Sequence, residues 1–172
     1  MKMRSLLLSA ALAFTLLLGA CGFHLRGHNT FSLPFQTLYV KSGNEHAPFI
    51  MELKRSLESS NVQVTGSPGQ AQLTLEIVSE ATDKQILSLS GGGRVREYRL
   101  QYRVSLRLYD LKQQDWLPPE EITLRRDFSY DDAQVLAKEQ EEAMLYQDMR
   151  NDAVQQILRR LNRAKPPQPP AK

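Results

Sequence analysis

The most constraining feature of this 172-residue chain is a segment in which apolar and polar residues alternate without a break. It runs from Tyr98 to Leu108, and every even-numbered residue within it is apolar. The polar positions are Arg99, Gln101, Arg103, Ser105 and Arg107. Because successive side chains of a β-strand point to opposite faces, a period of two predicts a long strand with one buried face. The other face of such a sheet stays in water.

Weaker patterns predict further strands on both sides of this segment. They cover residues 36–41, 62–64, 73–78 and 122–130. The third of them either ends near residue 78 or continues raggedly to Leu89, and a flexible glycine tip at 91–93 follows. A loop is expected over residues 110–119, because this stretch contains Pro118-Pro119 and no periodicity.

Two helices complete the pattern. The first begins at Pro48 and carries an apolar stripe at three- and four-residue spacing up to Leu57. The second follows Asp131-Asp132, which offer an N-cap, and ends at Asn162. Its charged residues 138–142 form either a loop or exposed helix. The order of elements predicts an α+β fold with two helices packed on one face of a mostly antiparallel four- to five-stranded sheet.

The N-terminus has the pattern of an export signal. Lys2 and Arg4 precede an apolar run over residues 6–18, which is shorter than the about 20 residues that a membrane-spanning helix needs. Leu18-Gly19-Ala20-Cys21 then matches a lipobox, which predicts cleavage before Cys21 and lipidation of its thiol. The alternative is an ordinary secretory signal followed by a chance cysteine.

Cysteine usage favours lipidation over this alternative. Cys21 is the only cysteine, and a lone thiol in an exported protein is unusual unless it is chemically occupied. A covalent diacylglycerol and an N-acyl chain on Cys21 would occupy it and hold the protein firmly to lipid. No other cofactor is expected. Gly22 follows, and in the sorting rule of enteric bacteria it indicates the outer membrane.

These features divide the chain into four parts: a signal peptide at 1–20, a lipidated tether at 21–35, an α+β domain at 36–163, and a disordered Pro-rich tail at 164–172. Removing the signal peptide takes away Lys2 and Arg4 but no acidic residue, so the net charge of +3 falls to about +1. This near balance argues against a nucleic-acid partner.

No catalytic pattern is found in the sequence. It has no GxSxG or HExxH motif and no paired cysteines, so we expect neither an enzyme nor a metal site. His24 and His28 have helical metal-ligand spacing but lie in the glycine-containing tether. A hydrolase is the alternative, and it would need a nucleophile or an acid–base pair that the sequence does not offer.

Arginines are the candidate binding residues. Arg99 and Arg103 should point away from the apolar face of the long strand, Arg125 should share that outward face on the next strand, and Arg94 and Arg96 flank the glycine tip. The planar guanidinium group suits phosphates and carboxylates. Two interpretations remain open: a charged face that serves solubility, or a surface for a phosphorylated lipid.

Several segments together resemble one family. They are Cys21-Gly22-Phe23-His24-Leu25-Arg26-Gly27 at the mature start, Glu97-Tyr98 and Leu108-Tyr109-Asp110 at the two ends of the long strand, and Arg126-Asp127-Phe128-Ser129-Tyr130-Asp131 before the last helix. In this order they resemble the lipopolysaccharide-assembly lipoprotein LptE (RlpB) family over nearly the whole mature chain.

The resemblance implies a function that composition alone does not. It implies a lipid-anchored protein on the periplasmic side of the outer membrane that plugs the lumen of the β-barrel LptD and aids its folding. It also implies that the pair assembles lipopolysaccharide (LPS) at the outer leaflet and that the lipoprotein binds LPS. The residues we expect to contact LPS are Arg94, Arg96, Arg99, Arg103 and Arg125. The alternative is an accessory or chaperone lipoprotein of another envelope machine.

Overall fold

The computed structural model describes residues 33–167. The predicted signal peptide, the lipidation site Cys21 and most of the tether lie outside the described residues, as does the end of the tail from residue 168. Phe35, at the end of the predicted tether, is buried in the core. Within residues 33–167, no helix combines the length and apolar character needed to cross a bilayer.

Five strands and two α-helices follow one another in the predicted order. They are β1 (Thr37–Lys41), α1 (Pro48–Ser59), β2 (Gln63–Thr65), β3 (Leu73–Leu89), β4 (Val95–Asp110), β5 (Asp115–Ser129) and α2 (Val135–Arg163). Short 3₁₀ turns lie at Pro68–Gln70 and Asp132–Gln134. The predicted α+β class is confirmed.

The strands form one mixed sheet in the order β2-β1-β3-β4-β5. β1 is parallel to both β2 and β3, whereas the much longer ladders between β3 and β4 and between β4 and β5 are antiparallel. Most of the pairing is therefore antiparallel, as predicted. β1 pairs with β3 only from Leu73 to Glu76, so the rest of β3 extends beyond it towards the β3–β4 turn. We call residues 78–105 the distal hairpin.

The ragged pattern of β3 has a structural cause. Leu75 and Ile77 pair with Leu108 and Leu106 on the helix side, but a register shift between Ile77 and Ser79 brings Glu80 opposite the buried Val104. An extra residue at a bulge reverses the faces of every residue after it. Odd-numbered residues therefore face the helices up to Ile77, and even-numbered residues do so from Glu80 to Ile86, where a second register shift follows.

The loop predicted over residues 110–119 is wrong, because β5 begins at Asp115. A short turn joins β4 to β5, with Gln113 at a φ of 63° and a hydrogen bond from the Asp110 N–H to the Gln114 carbonyl. Pro118 and Pro119 lie within β5, between Leu117 and Glu120, where the register with β4 shifts. Strands tolerate proline at an edge or at a bulge, and this part of β5 is both.

The core lies between the helices and one face of the sheet. α1 buries Phe49, Ile50, Leu53 and Leu57 against it, and Phe49 meets the Tyr102 ring edge-on at 6.1 Å. α2 differs along its length: its buried residues begin at Met149, and none of residues 135–148 is buried. Residues 138–142 are helical, so of the two predicted alternatives the structure supports exposed helix.

Candidate functional site

The face of the sheet opposite the helices, the open face, is polar, as the alternation in β4 predicts. On β4 it carries Arg99, Arg103 and Arg107, while the even-numbered residues between them are buried in the core. Arg125 pairs with Gln101 across the β4–β5 ladder and therefore shares this face. The predicted direction of all four arginines is confirmed.

Arg99 is held by a carboxylate on the neighbouring strand. Its Nε and Nη2 donate hydrogen bonds of 2.8 and 2.9 Å to the two oxygens of Asp127. This forked contact raises the pKa of Arg99 and lowers the pKa of Asp127, with the hydrogen bonds as the largest cause. The pair is formally neutral, so Arg99 offers less to an anionic ligand than a free guanidinium group.

Arg107 is paired in the same way at the other end of β4. Its Nε lies 2.5 Å from a carboxylate oxygen of Asp115, and its guanidinium carbon lies 4.7 Å from the centre of the Tyr109 ring. The hydrogen bond to Asp115 is the main cause of the raised pKa of Arg107. Like Arg99, Arg107 forms an ion pair within the domain and is not free to bind an external anion.

Arg103 and Arg125 form no ion pair within residues 33–167. Arg103 pairs with Thr123 and Arg125 with Gln101, which makes the two arginines diagonal neighbours on the open face. Diagonal neighbours in a sheet lie about 7–8 Å apart, a separation that two long side chains can span. They are the open-face cations best placed for an external anion.

Arg94 lies at the end of a tight turn that closes the distal hairpin. The Ser90 N–H donates to the Arg94 carbonyl at 2.7 Å, and the Gly93 N–H donates to the Ser90 carbonyl at 2.9 Å. Gly93 has a φ of 77°, a conformation that favours glycine. The Arg94 N–H donates to the Ser90 hydroxyl at 3.1 Å, so the backbone beside the arginine is fixed.

Arg94 and Arg96 line one cavity of about 380 Å³ together with Tyr130, Asp131 and Asp132. Neither arginine forms an ion pair within the described part of the chain. The two aspartates offset their charge, although the Asp131 carboxylate accepts a hydrogen bond from the Ala133 N–H. The cavity can therefore take an anionic group from the arginine side.

An aromatic cluster under α2 was not predicted. Tyr98 stacks on Phe128 at 5.8 Å and meets Tyr130 edge-on at 5.1 Å. The Lys84 Nζ lies 4.2 Å from the centre of the Tyr98 ring and 2.5 Å from a carboxylate oxygen of Glu142. Lys84 thus ties the distal hairpin to the exposed half of α2. The aromatic residues were visible in the strand patterns, but the bulge in β3 hid the side to which Lys84 points.

The structure separates the five predicted LPS-binding residues into two locations. Arg94 and Arg96 meet at the tip cavity, and Arg99, Arg103 and Arg125 lie on the open face. Their role in binding stays a prediction, as does lipidation of Cys21. Among residues 33–167, no group of three or more His, Cys, Asp or Glu is placed to hold a metal.

Comparisons with known proteins agree with the fold and with the motifs. The family model described as "LptE: Lipopolysaccharide-assembly" matches residues 35–161. The "LPS-assembly lipoprotein LptE" of Yersinia enterocolitica is 30% identical over 162 residues, which cover 94% of this chain and 77% of that protein. The protein of the same name from Pectobacterium atrosepticum is 28% identical over 156 residues, covering 86% and 84%.

Solved structures of bacterial lipoproteins share the fold. An uncharacterized lipoprotein B from Nitrosomonas europaea is 40% identical with a TM-score of 0.70, and the match covers 82% of this chain and 90% of that one. The rare lipoprotein B from Shewanella oneidensis is 26% identical with a TM-score of 0.66, covering 73% and 93%. Together with the family model, which spans nearly all of the folded domain, these matches show that the chain belongs to the lipopolysaccharide-assembly lipoprotein LptE family.

Proposed function

We propose that this protein is a non-enzymatic outer-membrane lipoprotein that assembles LPS together with the β-barrel LptD. Acyl chains on Cys21 anchor it at the periplasmic side, and the folded domain occupies the lumen of the barrel and helps the barrel to fold. The domain also binds LPS. The relatives named as LPS-assembly lipoproteins support the general role, and the geometry of the domain supports the more specific one.

The polar open face is the observation that carries the plug hypothesis. One side of the sheet is covered by α1 and α2, and the other presents charged and hydroxyl groups from three adjacent strands, including Arg103, Thr123 and Asp83. The lumen of a large outer-membrane barrel is polar and filled with water. A domain with a dry core and a polar outer face can enter such a lumen without exposing its apolar residues.

The free arginines support contact with LPS. Lipid A carries phosphates, and a guanidinium fork binds phosphate oxygens through charge-assisted hydrogen bonds. Arg94 and Arg96 share one cavity, and Arg103 and Arg125 are diagonal neighbours on the open face. All four are free of ion pairs in the described residues, whereas Arg99 is held by Asp127. We therefore assign LPS binding to these two pairs of arginines and a smaller share to Arg99.

Site-specific photocrosslinking in cells tests the plug hypothesis. A photoreactive residue at Gln101 samples the open face, and the same residue at Glu58 samples the exposed side of α1. A domain inside a lumen should crosslink to the barrel from both positions. Crosslinks from Gln101 alone would indicate docking by one face, and the absence of barrel crosslinks from Gln101 would refute the plug. Crosslinks to the components of another envelope machine would favour the accessory-lipoprotein alternative.

Binding of labelled LPS to the purified full-length protein tests the arginine assignment. Replacing Arg94 and Arg96 with glutamine should weaken binding about tenfold or more, because each charge-assisted contact contributes about 1.5–3 kcal/mol. Arg107→Gln is the matched control, since Arg107 is paired with Asp115 at the opposite end of β4. If the double variant and the control bind labelled LPS equally well, Arg94 and Arg96 do not bind LPS and serve only the solubility of the domain.

A further inference from the structure

The distal half of β3 has one free edge. β1 pairs with β3 up to Glu76, and no other strand within residues 33–167 continues along that side as far as Leu89. β4 occupies the opposite side throughout. The free edge therefore presents a row of backbone groups from residues 78–89 that no described strand covers. Such a row is a template for another extended segment.

The hydrogen-bond pattern identifies which residues face this edge. The Tyr130 N–H donates to the Arg96 carbonyl, so the backbone groups of Arg96, and of alternate residues after it, point towards β5. The backbone N–H and C=O groups of Arg99 and Gln101 then point towards β3, where these residues pair with Gln85 and Asp83. The residues that alternate with them in β3 must direct their N–H and C=O groups to the free edge. They are Glu80, Thr82, Lys84 and Ile86.

The other long edge of the sheet, the outer edge of β5, is protected against pairing with an added strand. β5 carries Pro118 and Pro119, which cannot donate to an added strand, and its exposed residues include Arg125 and Asp127. Proline and charge are the usual means by which proteins prevent pairing at an edge. The free edge of β3 also carries charged side chains, at Glu80, Asp83 and Lys84, but it contains no proline, and at its two ends it exposes large apolar side chains. They are Val78, Ile86, Leu87 and Leu89, between 41% and 61% exposed.

A cavity lies at the point where β1 ends and the free edge begins. It measures about 310 Å³, and its apolar wall is formed by Ala47, Ile50, Ile77 and Val78. Residues 42–44, which follow β1, form another part of its lining. A segment that continued the line of β1 along β3 would pass this cavity and could place an apolar side chain in it.

We propose that the free edge of β3 takes up an extended segment of the barrel partner by β-strand addition. Backbone bonds to Thr82, Lys84 and Ile86 would hold the segment, and the cavity at the end of β1 would receive one of its apolar side chains. The inference rests on the proposed function for the identity of the partner. The free edge borders the open face, so the same side of the domain would contact the barrel protein at both surfaces.

The segment must come from a particular part of the partner. The wall strands of a closed barrel pair with one another and have no free backbone groups. A loop or a terminal segment of the barrel protein is therefore the source. Strand addition gives affinity through main-chain hydrogen bonds and specificity through pockets for alternate side chains, which is the combination found here.

A proline at the free edge provides the test in the full-length protein. In Thr82→Pro the lost N–H is one that faces the free edge, so pairing with β4 is preserved while the added strand loses a donor and meets the proline ring. Thr82→Ala is the matched control, because it changes the same side chain but keeps the N–H that faces the free edge, and urea unfolding of both variants checks that the domain is folded. We expect Thr82→Pro to reduce the barrel recovered per molecule of purified protein about tenfold or more, and Thr82→Ala to leave it within about twofold.

Residue-resolved amide hydrogen exchange gives a second measurement that needs no variant. The amides of Thr82, Lys84 and Ile86 should exchange rapidly in the purified full-length protein and become at least about tenfold slower in its complex with the barrel. Slow exchange already in the isolated protein would overturn the inference, because residues 22–32 or a second copy of the chain would then cover the edge. If the cover is a second copy, the purified wild-type protein should have the mass of a dimer, and Thr82→Pro should lower this mass to that of a monomer.

The outcomes separate this inference from the proposed function. If wild type, Thr82→Pro and Thr82→Ala all recover the barrel equally, strand addition is wrong and the plug hypothesis stands. If wild-type protein recovers no barrel, the proposed function fails, and the partner assigned to the edge fails with it. Loss of the barrel in Thr82→Pro alone, together with protection of the three amides, supports the inference.

Discussion

Replacing Lys84 with methionine should loosen the N-terminal half of α2 without unfolding the domain. Residues 135–148 contribute no fully buried side chain, so this half of the helix depends on partial packing by Leu145 and Tyr146 and on a few polar contacts with the sheet. Lys84 supplies one of these contacts, because its Nζ is 2.5 Å from a Glu142 oxygen. The same Nζ lies 4.2 Å from the centre of the Tyr98 ring, a contact within the sheet. Methionine keeps the apolar stem over the ring and removes only the charge.

The size of the effect follows from how exposed these contacts are. The Lys84 and Glu142 side chains are 33% and 22% exposed, so we assign the ion pair about 0.5–1 kcal/mol. The cation–π contact with Tyr98 joins two strands and remains when α2 opens, so it adds nothing to this opening. A loss of about 0.5–1 kcal/mol corresponds to an about 2- to 5-fold increase in the local opening equilibrium. The C-terminal half, which carries Met149 to Leu161 in the core, should not respond.

Amide hydrogen exchange measured by mass spectrometry under native conditions checks this prediction. Exchange in peptides from residues 135–148 should become about 2- to 5-fold faster in Lys84→Met, while peptides from 149–163 keep their rates. Lys41→Met is the matched control, since Lys41 forms a 2.7 Å pair with Glu76 on the open face, away from α2. Unchanged rates in 135–148 would refute the reasoning. Equal acceleration in both halves would show that Lys84 acts on global stability instead.

Three further predictions follow from single contacts. Tyr102→Phe should lower the free energy of unfolding in urea by about 1–2 kcal/mol, because the buried hydroxyl donates a 2.7 Å hydrogen bond to Glu80; no measurable loss would contradict this. An NMR titration should give Asp127 a pKa below the ordinary carboxyl value, and this pKa should rise back to the ordinary value in Arg99→Gln. The stability that this pair contributes is therefore fully present above the ordinary carboxyl pKa, and it is lost as the pH falls through the lowered pKa of Asp127. Ile157→Ala should lower the free energy of unfolding by about 2–5 kcal/mol, since this side chain of α2 is fully buried in the core, and a loss below about 1 kcal/mol would contradict the packing described here.

The sequence predicted the element correctly wherever its hydrophobic period arose from one cause, the burial of a single face in the core. The alternation in β4 and the stripe of α1 gave the correct element types, because each has one face in the core. β3 was ambiguous, since its bulge reverses the buried face after Ile77 and destroys the alternation. The start of β5 was missed because Pro118 and Pro119 normally indicate a loop, and only the sheet order shows that they lie on an edge strand.

The sequence predicted the face to which the candidate arginines point, but not the carboxylates with which they pair. Alternation placed Arg99, Arg103 and Arg125 on the outer face, yet it could not show that Asp127 faces Arg99, because this depends on the register between β4 and β5. Arg94 and Arg96 were expected at the tip, but the neighbouring aspartates come from the segment after β5 and meet them only in the folded chain. Contacts between distant segments have no signal in a single sequence.

Purification of the full-length protein from native outer membranes, with its partners identified by mass spectrometry, tests the central claim most directly. We expect one large outer-membrane β-barrel protein of LPS assembly to be recovered in close to equal amounts with the lipoprotein. A Cys21→Ser variant should lower the amount of complex by weakening the anchor, while the barrel still binds to whatever folded domain reaches the membrane. Recovery of the lipoprotein alone, or with components of a different envelope machine, would contradict the account.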